Sequence, residues 1–451
     1  MSAADTSAAP AVCVLTLGCA KNEVDSDKMR AALLAGGMRI TDEVAGADVV
    51  IVNTCAFLAS AVEEGVELIL DVAEEVEDAG GRAALVVAGC MPSRYGEKLQ
   101  AELPEVDRFV RADDEESIVG VVRELTRPRS ASAEGRGEVL PDRTRHEVGP
   151  FAYVKISEGC DRRCTYCAIP AIRGPHESRS FDDIASEVGE LADAGAREIV
   201  LIAQDSGAWG RDLDVPSTTA RLVTGLAERW PDVWFRLLYV QPDAVTDELL
   251  DAIATHENIC PYLDIPLQHA SGDVLACMGR KGSAETFAAL LGRIRRRIPD
   301  IALRTTFMAG FPGESEEDFE ELLDFVDEAA FDFAGIFAYS REEGTPSASL
   351  EGHLDAEVKL SRAQQLLDAA ESVGCAQVRR FIGRDMDVLV EGHEQSDVGL
   401  EALCRSRYQA PEVDGQVHVP IDDVQQAPVG AILHVRVTDT FFFEWEAELC
   451  E

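Results

Sequence analysis

Residues 151–167 read FAYVKISEGCDRRCTYC. The first seven, FAYVKIS, combine aromatic and β-branched residues and predict a strand. Past Gly159 come Cys160, Cys164 and Cys167, three cysteines within eight residues. Thiolates so closely spaced can face one metal centre, and they are the soft ligands that select iron–sulfur clusters or zinc. A structural zinc site closes with four ligands. This loop supplies three, and no further Cys or His within it completes the set. A four-iron cluster held by three cysteines keeps one iron open to a substrate or cofactor.

The strand rhythm continues on the carboxyl side. EIVLIA (198–203), WFRLLYV (234–240), YLDIPL (262–267), ALRTTFM (302–308) and FAGIFAY (333–339) predict further strands. Helical stretches lie between most of them, at 181–194, 244–255, 284–297 and 315–329. The last, SEEDFEELLDFVDEA, has an acidic first turn and apolar residues at helical spacing. The six β/α units of 148–376 predict a (β/α)6 barrel or partial barrel. Gly310-Phe311-Pro312-Gly313-Glu314 follows the strand at 302–308 and reads by itself as a turn before a helix.

On the amino side, residues 126–147 hold Pro, Ser, Gly and charge with little that is apolar, as a linker does. Before it, AVCVLTL (11–17), DVVIVN (48–53) and AALVVAG (83–89) predict strands, with helices over 22–35 and 59–78. Continuous Val/Ile/Leu runs mark strands covered on both faces, so 10–125 is expected to form a doubly wound α/β domain. Cys19, Cys55 and Cys90 each follow one of these strands by a residue or two. The carboxyl ends of parallel strands share one edge, where ligands bind. The three cysteines can converge there; they fit equally as small buried residues. Gly18 and Gly89 beside them allow backbone to approach a bulky group. Cys13, Cys260, Cys277, Cys375, Cys404 and Cys450 follow no such pattern and read as structural or incidental, with Cys13 inside a strand.

Residues 377–451 change character. RDMDVLVEG, GLEALCRSR, GQVHVPI and AILHVRVTDT predict short strands separated by Gly, Pro and Asp, hence a small β-barrel of about five strands.

The 451 residues carry 83 Asp and Glu against 41 Lys and Arg, a net charge of −42. Such a balance repels a phosphate backbone, because nucleic-acid binding rests on Lys and Arg neutralising phosphates. A basic protein or a small molecule fits better, although solubility alone also accounts for acidity. With 46% hydrophobic and 27% charged residues the chain is expected to be globular rather than disordered. No apolar run approaches the ~18 residues of a membrane helix, and no Lys or Arg precedes Lys21 to form a signal peptide's basic region. The expectation is a cytoplasmic protein without a membrane partner. Its twelve cysteines would then serve metals or catalysis before disulfides.

The spacing of Cys160, Cys164 and Cys167, with Tyr166 before the last cysteine, resembles the signature of radical S-adenosylmethionine (SAM) enzymes. The resemblance implies a 4Fe-4S cluster on these three residues, whose open iron chelates SAM and whose electron cleaves it to a 5′-deoxyadenosyl radical. It also implies cofactor contact by Gly310, Phe311, Pro312 and Gly313. The cysteines of LGCAKN (17–22), NTC (53–55) and GC (89–90), then the radical SAM loop, then a TRAM-like, OB-like barrel, together resemble the methylthiotransferases over nearly the whole chain. Arg173-Gly174, Glu177-Ser178-Arg179 and IPLQHAS (265–271) extend the likeness. The resemblance implies that Cys19, Cys55 and Cys90 hold a second 4Fe-4S cluster, which carries the sulfur to be inserted. An unactivated C–H bond has no acidic proton, which fits motifs built of cysteines rather than acid–base groups.

That family divides between adenosine in transfer RNA and one aspartate of a ribosomal protein. GCAKNEVDS (18–26), EGCDRRCTYCAIP (158–170) and YQAPEVDG (408–415) look like the protein-modifying branch. The barrel region 377–451 has six basic and fifteen acidic residues, a net of 6 − 15 = −9, where a tRNA clamp is expected to be basic. The resemblance therefore implies methylthiolation of the β-carbon of an aspartate in small-subunit ribosomal protein number twelve. It implies SAM and two 4Fe-4S clusters as cofactors, a low-potential electron donor such as flavodoxin, and no direct nucleic-acid binding by the barrel. The alternatives are a tRNA adenosine methylthiotransferase and a non-catalytic iron–sulfur carrier or scaffold. TFFFEWE (440–446) departs from the family's usual ending and leaves the packing of the last strand open.

Overall fold

The computed structural model describes residues 9–81, 83–127, 148–396 and 399–450; most of the expected linker, from 128 to 147, lies outside the described residues. The chain forms two compact units. One comprises Met1–Glu147 with Ala168–Pro175, the other Val148–Cys167 with His176–Glu451.

The first unit is built on a parallel sheet of β1 (Ala11–Thr16), β2 (Arg39–Thr41), β3 (Val49–Thr54), β4 (Ala84–Gly89) and β5 (Arg108–Arg111), in the order β2-β1-β3-β4-β5. β3, VVIVNT, is buried at every position. Successive side chains of a strand point to opposite faces, and the core divides accordingly. Val50 and Val52 join Cys13, Ile69 and Val72 in one layer. Val49 and Ile51 join Met29, Leu33 and Val122 in the other. The helices Ala20–Ala35 and Ile118–Leu125 supply the second layer, and Ala59–Asp78 the first. This is the doubly wound arrangement expected from the uninterrupted Val/Ile runs, and Cys13 is core as expected.

In the second unit, β6 (Phe151–Lys155) is followed by a short antiparallel pair, β7 (Ser157–Glu158) with β8 (Glu177–Ser178). Then come β9 (Glu198–Ile202), β10 (Trp234–Leu237), β11 (Tyr262–Gln268), β12 (Ala302–Ala309) and β13 (Phe333–Ala338). The parallel strands pair as β6-β9-β10 and β11-β12-β13, and a single bridge, Phe235 to Ile259, spans the gap. One core crosses that gap, from Val154, Leu201 and Phe235 to Leu263, Leu303 and Phe307. The covering helices begin where side-chain caps predict them. Ser180 accepts from the Asp183 N–H ahead of Phe181–Asp193, and Ser283 and Ser315 form capping boxes with Thr286 and Asp318. The six expected strands are present, arranged as a partial barrel.

A helix over Ala356–Val378 leads to a closed barrel of β14 (Asp385–Ser396), β15 (Gly399–Ser406), β16 (Val417–Pro420), β17 (Ile432–Phe441) and β18 (Glu444–Leu449). The last strand, which the sequence left open, closes this barrel: Trp445 is fully buried and stacks on Phe381 at 4.7 Å. Phe441 and Phe442 are exposed at the β17–β18 turn, where Phe442 has φ +53°.

A buried polar seam joins the two barrels of this unit. Arg236 Nε donates to Glu198 Oε1 at 2.6 Å, and Arg405 Nη2 donates to the other oxygen of Glu198 and to Glu391 Oε1. Asp414 accepts from Tyr262 Oη at 2.6 Å, Arg304 Nε at 3.1 Å and the Ala410 N–H at 2.8 Å. Glu198 and Tyr262 are the first residues of β9 and β11, so the small barrel is fastened at the amino edge of the parallel strands. YQAPEVDG (408–415), read from the sequence as a mark of substrate branch, supplies part of this fastening through Ala410 and Asp414.

Candidate functional site

In the first unit, Cys19, Cys55 and Cys90 stand at the carboxyl ends of β1, β3 and β4, which are neighbours in the sheet. Cys19 ends in solvent, whereas Cys55 and Cys90 are buried. Gly18 has φ +108°, and a Cβ there would lie 2.5 Å from Cys55 Cβ and 3.3 Å from its Sγ. Gly89 has φ +91°, and a Cβ there would lie 2.2 Å from Asn53 Oδ1. Both positions require glycine, as much for close approach as for the backbone angle. Burial raises the Cys55 thiol, and it pushes Cys90 up to about 11 although Arg173 acts against it. The negative sulfurs also repel one another, since Cys19 raises both neighbours. A metal removes this cost by binding the thiolates.

Arg173 comes to this edge from Ala168–Pro175, the segment that the first unit takes from just beyond Cys167. Its Nη1 donates to Asp25 Oδ2 at 2.7 Å; its Nη2 donates to Asn22 Oδ1 at 2.9 Å and to Cys90 Sγ at 3.3 Å. Asn53 Nδ2 donates to Asn22 O and Ser26 Oγ, both at 2.9 Å. Arg94 Nη1 donates to Ala56 O at 2.7 Å and steadies the loop that carries Cys55.

In the second unit, Cys160, Cys164 and Cys167 lie on the loop beyond β7, at the carboxyl edge of the partial barrel. Residues from four later loops hold it. The Arg162 N–H donates to Cys160 Sγ at 3.4 Å, and its guanidinium reaches Asp205 at 2.6 Å and Asp243 at 2.7 Å. Arg280 Nη1 donates to Cys164 Sγ at 3.8 Å, while its Nη2 donates to Gln241 Oε1 at 2.7 Å and Pro266 O at 2.6 Å. The Thr165 N–H donates to Met278 O at 2.9 Å, and the Ser347 N–H to Thr165 O at 2.8 Å. Burial raises the Cys160 thiol and, more strongly, the Tyr166 hydroxyl beside Cys164 and Cys167.

Asp205, Gln241, Asp243 and Arg280 were not singled out from the sequence. The first three follow the carboxyl ends of β9 and β10, and that position was the available signal.

The Gly310–Gly313 loop follows β12 as expected, but its N–H groups are engaged within the chain. Gly310 and Phe311 donate to Glu314 Oε2 at 2.8 and 3.2 Å, and Gly313 donates to Gly352 O at 2.9 Å. Gly310, Phe311 and Pro312 are buried, with Gly313 exposed. Burial acts to raise the Glu314 carboxyl, yet His269, Arg362 and the Gly310 N–H hold it below its ordinary range. A cofactor contact from this loop therefore falls to carbonyl oxygens and carbon surface.

Each trio offers three soft donors and suits a thiophilic group. Among the described residues, the donor set close enough for one ion, within 4.8 Å, is instead Asp385, His434 and Cys450 on the small barrel. That set is largely exposed, and Arg436 holds its carboxylate through two hydrogen bonds of 2.6 and 2.9 Å. In neither cysteine trio do all three sulfurs lie that close to one another.

Residues 11–111 match a family described as uncharacterized protein family UPF0004, residues 154–326 the radical SAM superfamily, and residues 382–449 the TRAM domain. A Syntrophotalea carbinolica protein, ribosomal protein uS12 methylthiotransferase RimO, is 42% identical over 98% of this chain and 97% of its own length. The protein of that name from Geobacter sulfurreducens is 41% identical over 97% of this chain and 98% of its own. That from Pelotomaculum thermopropionicum is 44% identical over 90% and 91%. Among solved structures, the radical SAM methyltransferase TsrM from Kitasatospora setae, with cobalamin and a [4Fe-4S] cluster bound, superposes with a TM-score of 0.55 at 15% identity, covering 75% of this chain and 74% of that one. The cobalamin-dependent radical SAM enzyme OxsB gives 0.51 at 13% identity, covering 81% and 58%. These two likenesses concern the fold.

Proposed function

This chain belongs to the RimO family of ribosomal protein uS12 methylthiotransferases, and on that premise we propose that it uses radical SAM chemistry to place a methylthio group on the β-carbon of one aspartate of uS12. Cys160, Cys164 and Cys167 are assigned one 4Fe-4S cluster, and Cys19, Cys55 and Cys90 a second. When loaded, the first supplies the deoxyadenosyl radical from SAM and the second the sulfur that is transferred. The observation that carries this reading is the second trio. An enzyme that only generated a radical would have no need of three converging cysteines on a separate sheet.

The chain's own residues prepare both sites. Arg162, clamped by Asp205 and Asp243, fixes the first half of the radical SAM loop, and Arg280 orients Cys164. Gly310, Phe311, Pro312 and Gly313 lie at the same edge as a candidate SAM contact. The three domains are read as 10–125, 148–376 and 377–451. A low-potential one-electron carrier such as flavodoxin is the proposed reductant. The acidic small barrel favours a Lys/Arg-rich protein over RNA. Among the described residues no helix is long and apolar enough to cross a membrane, and a cytoplasmic location is proposed.

Gly89→Ala tests the second trio without removing a cysteine. The added Cβ meets Asn53 Oδ1 and Thr54 O at 2.2 and 2.9 Å. After anaerobic reconstitution, iron content is expected to fall to roughly half, since one four-iron site of two is lost; unchanged iron contradicts the assignment. The function itself is tested by mass spectrometry of uS12 from cells lacking this chain. The expected result is loss of the mass of one methylthio group, in place of hydrogen, at one aspartate. An unaltered uS12 mass, or loss of methylthioadenosine from tRNA instead, overturns the reading.

A further inference from the structure

We propose that Arg173 is a positioning residue for the metal group on Cys19, Cys55 and Cys90, and that it sets that group's electron affinity through the Cys90 sulfur. The proposal rests on reading those three cysteines as cluster ligands.

Arg173 and Asp25 form an ion pair with side chains only 3% and 2% exposed. A buried pair of this kind is a poor stabilising device, because desolvation offsets the attraction and apolar side chains of similar volume often serve as well. Its position supplies the reason for it. The guanidinium is planar and presents its N–H groups as a rigid fork. One arm is held by Asp25; the other is shared between Asn22 Oδ1 and Cys90 Sγ. Asn22 cannot turn its amide round at no cost, since its Nδ2 donates to Leu17 O at 2.9 Å. Asn53 holds the backbone of Asn22 from below, and Thr16 Oγ1 donates to Ser26 Oγ at 2.7 Å behind it. The fork is therefore aimed at the sulfur by a network that spans β1, β3 and the helix Ala20–Ala35.

The state of Cys90 decides what this aim does. As a thiol, Cys90 Sγ donates to Asn22 Oδ1 at 3.7 Å. As a metal ligand it has lost that proton and can only accept. Arg173 Nη2, 3.3 Å away, is then a charged donor facing it. Hydrogen bonds to ligand sulfurs and the local net charge are among the factors that set an iron–sulfur potential. A cation donating to Cys90 favours the more negative, reduced state of the cluster, and Asp25 opposes it.

The experiment uses the full chain carrying Cys160→Ala, Cys164→Ala and Cys167→Ala, so that the remaining cluster is observed alone after reconstitution with iron and sulfide. EPR-monitored redox titration then compares Arg173→Lys, Asp25→Asn and the charge-compensated pair Arg173→Met/Asp25→Asn. The compensated pair is expected to keep its irons and to need a more negative potential. Its reduced fraction should fall roughly tenfold at fixed potential, about 59 mV for a one-electron couple. Arg173→Lys, which keeps the charge but loses the fork, is expected to move by less, and Asp25→Asn in the opposite direction. A loaded compensated pair with an unshifted potential overturns the role of Arg173. If that pair fails to load, Asp25→Asn decides: an unshifted potential there overturns the role as well. A parent triple variant that binds no iron sinks instead the assignment of Cys19, Cys55 and Cys90.

Discussion

Replacing Cys160, Cys164 and Cys167 together by alanine is expected to abolish reductive cleavage of SAM while leaving about four of about eight irons bound. Replacing Cys19, Cys55 and Cys90 is expected to leave the same number of irons and the opposite phenotype. SAM is still cleaved to 5′-deoxyadenosine, and uS12 gains nothing. The contrast follows from the donor sets. Each trio lies at the carboxyl edge of its own parallel sheet, held by its own network: Arg162, Asp205, Asp243 and Arg280 for one, Asn22, Asn53, Arg94 and Arg173 for the other. No side chain is common to the two networks, and Arg173 belongs to the first unit although it follows Cys167 in the chain, so one site should assemble when the other is removed. Iron and sulfide analysis with chromatographic assay of 5′-deoxyadenosine checks both halves. If the first variant still holds about eight irons, or the second no longer cleaves SAM, the division of labour is wrong.

The second large effect is structural. Glu198→Gln leaves the size of the side chain unchanged and removes the negative charge between Arg236 and Arg405. All three side chains are at most 1% exposed. Breaking a buried pair by neutralising one partner costs about 3–5 kcal/mol, because an uncompensated charge stays in the interior. Arg405 retains Glu391, so Arg236 bears most of the loss. The variant is expected to unfold at markedly lower denaturant, and an unchanged midpoint contradicts the seam's importance. The pH dependence has a definite sign. Burial works to raise the Glu198 carboxyl, but Arg236 and Arg405 hold it below its ordinary value of 4.5. A depressed carboxylate contributes stability above its unfolded pKa and loses it as pH falls through the folded one. The unaltered protein should therefore lose this contribution below about pH 4.5, and Glu198→Gln should lose less over that interval.

Much of this was legible in the sequence because burial on both faces leaves a plain mark. VVIVN in β3 and EIVLI in β9 read as strands since every position must be apolar enough to bury. Cys160, Cys164 and Cys167 stood out by their spacing, and Cys19, Cys55 and Cys90 because each follows a strand's end, where a parallel sheet places its functional edge. Short polar strands were not. RIT in β2 and RFVR in β5 lie at the sheet's two edges and bury one side chain between them. The helix Ala356–Val378 was missed for a related reason. Its buried residues are Arg362, Leu366, Ala370, Gly374 and Val378, one position in four, too narrow a stripe and too polar to stand out. Arg173 and Arg280 were beyond reach as partners of sulfur, since 83 and 116 positions separate them from Cys90 and Cys164. The sequence's marker YQAPEVDG proved to be partly a fastening, because Asp414 answers to Tyr262 and Arg304 rather than to solvent.

The most direct test of the central claim is a single incubation of the reconstituted protein with SAM, a low-potential reductant and purified uS12 under anaerobic conditions, read by peptide mass spectrometry. One aspartate-containing peptide of uS12 is expected to gain the mass of a methylthio group in place of hydrogen, with 5′-deoxyadenosine formed alongside. A uS12 that stays unmodified while 5′-deoxyadenosine accumulates would contradict it.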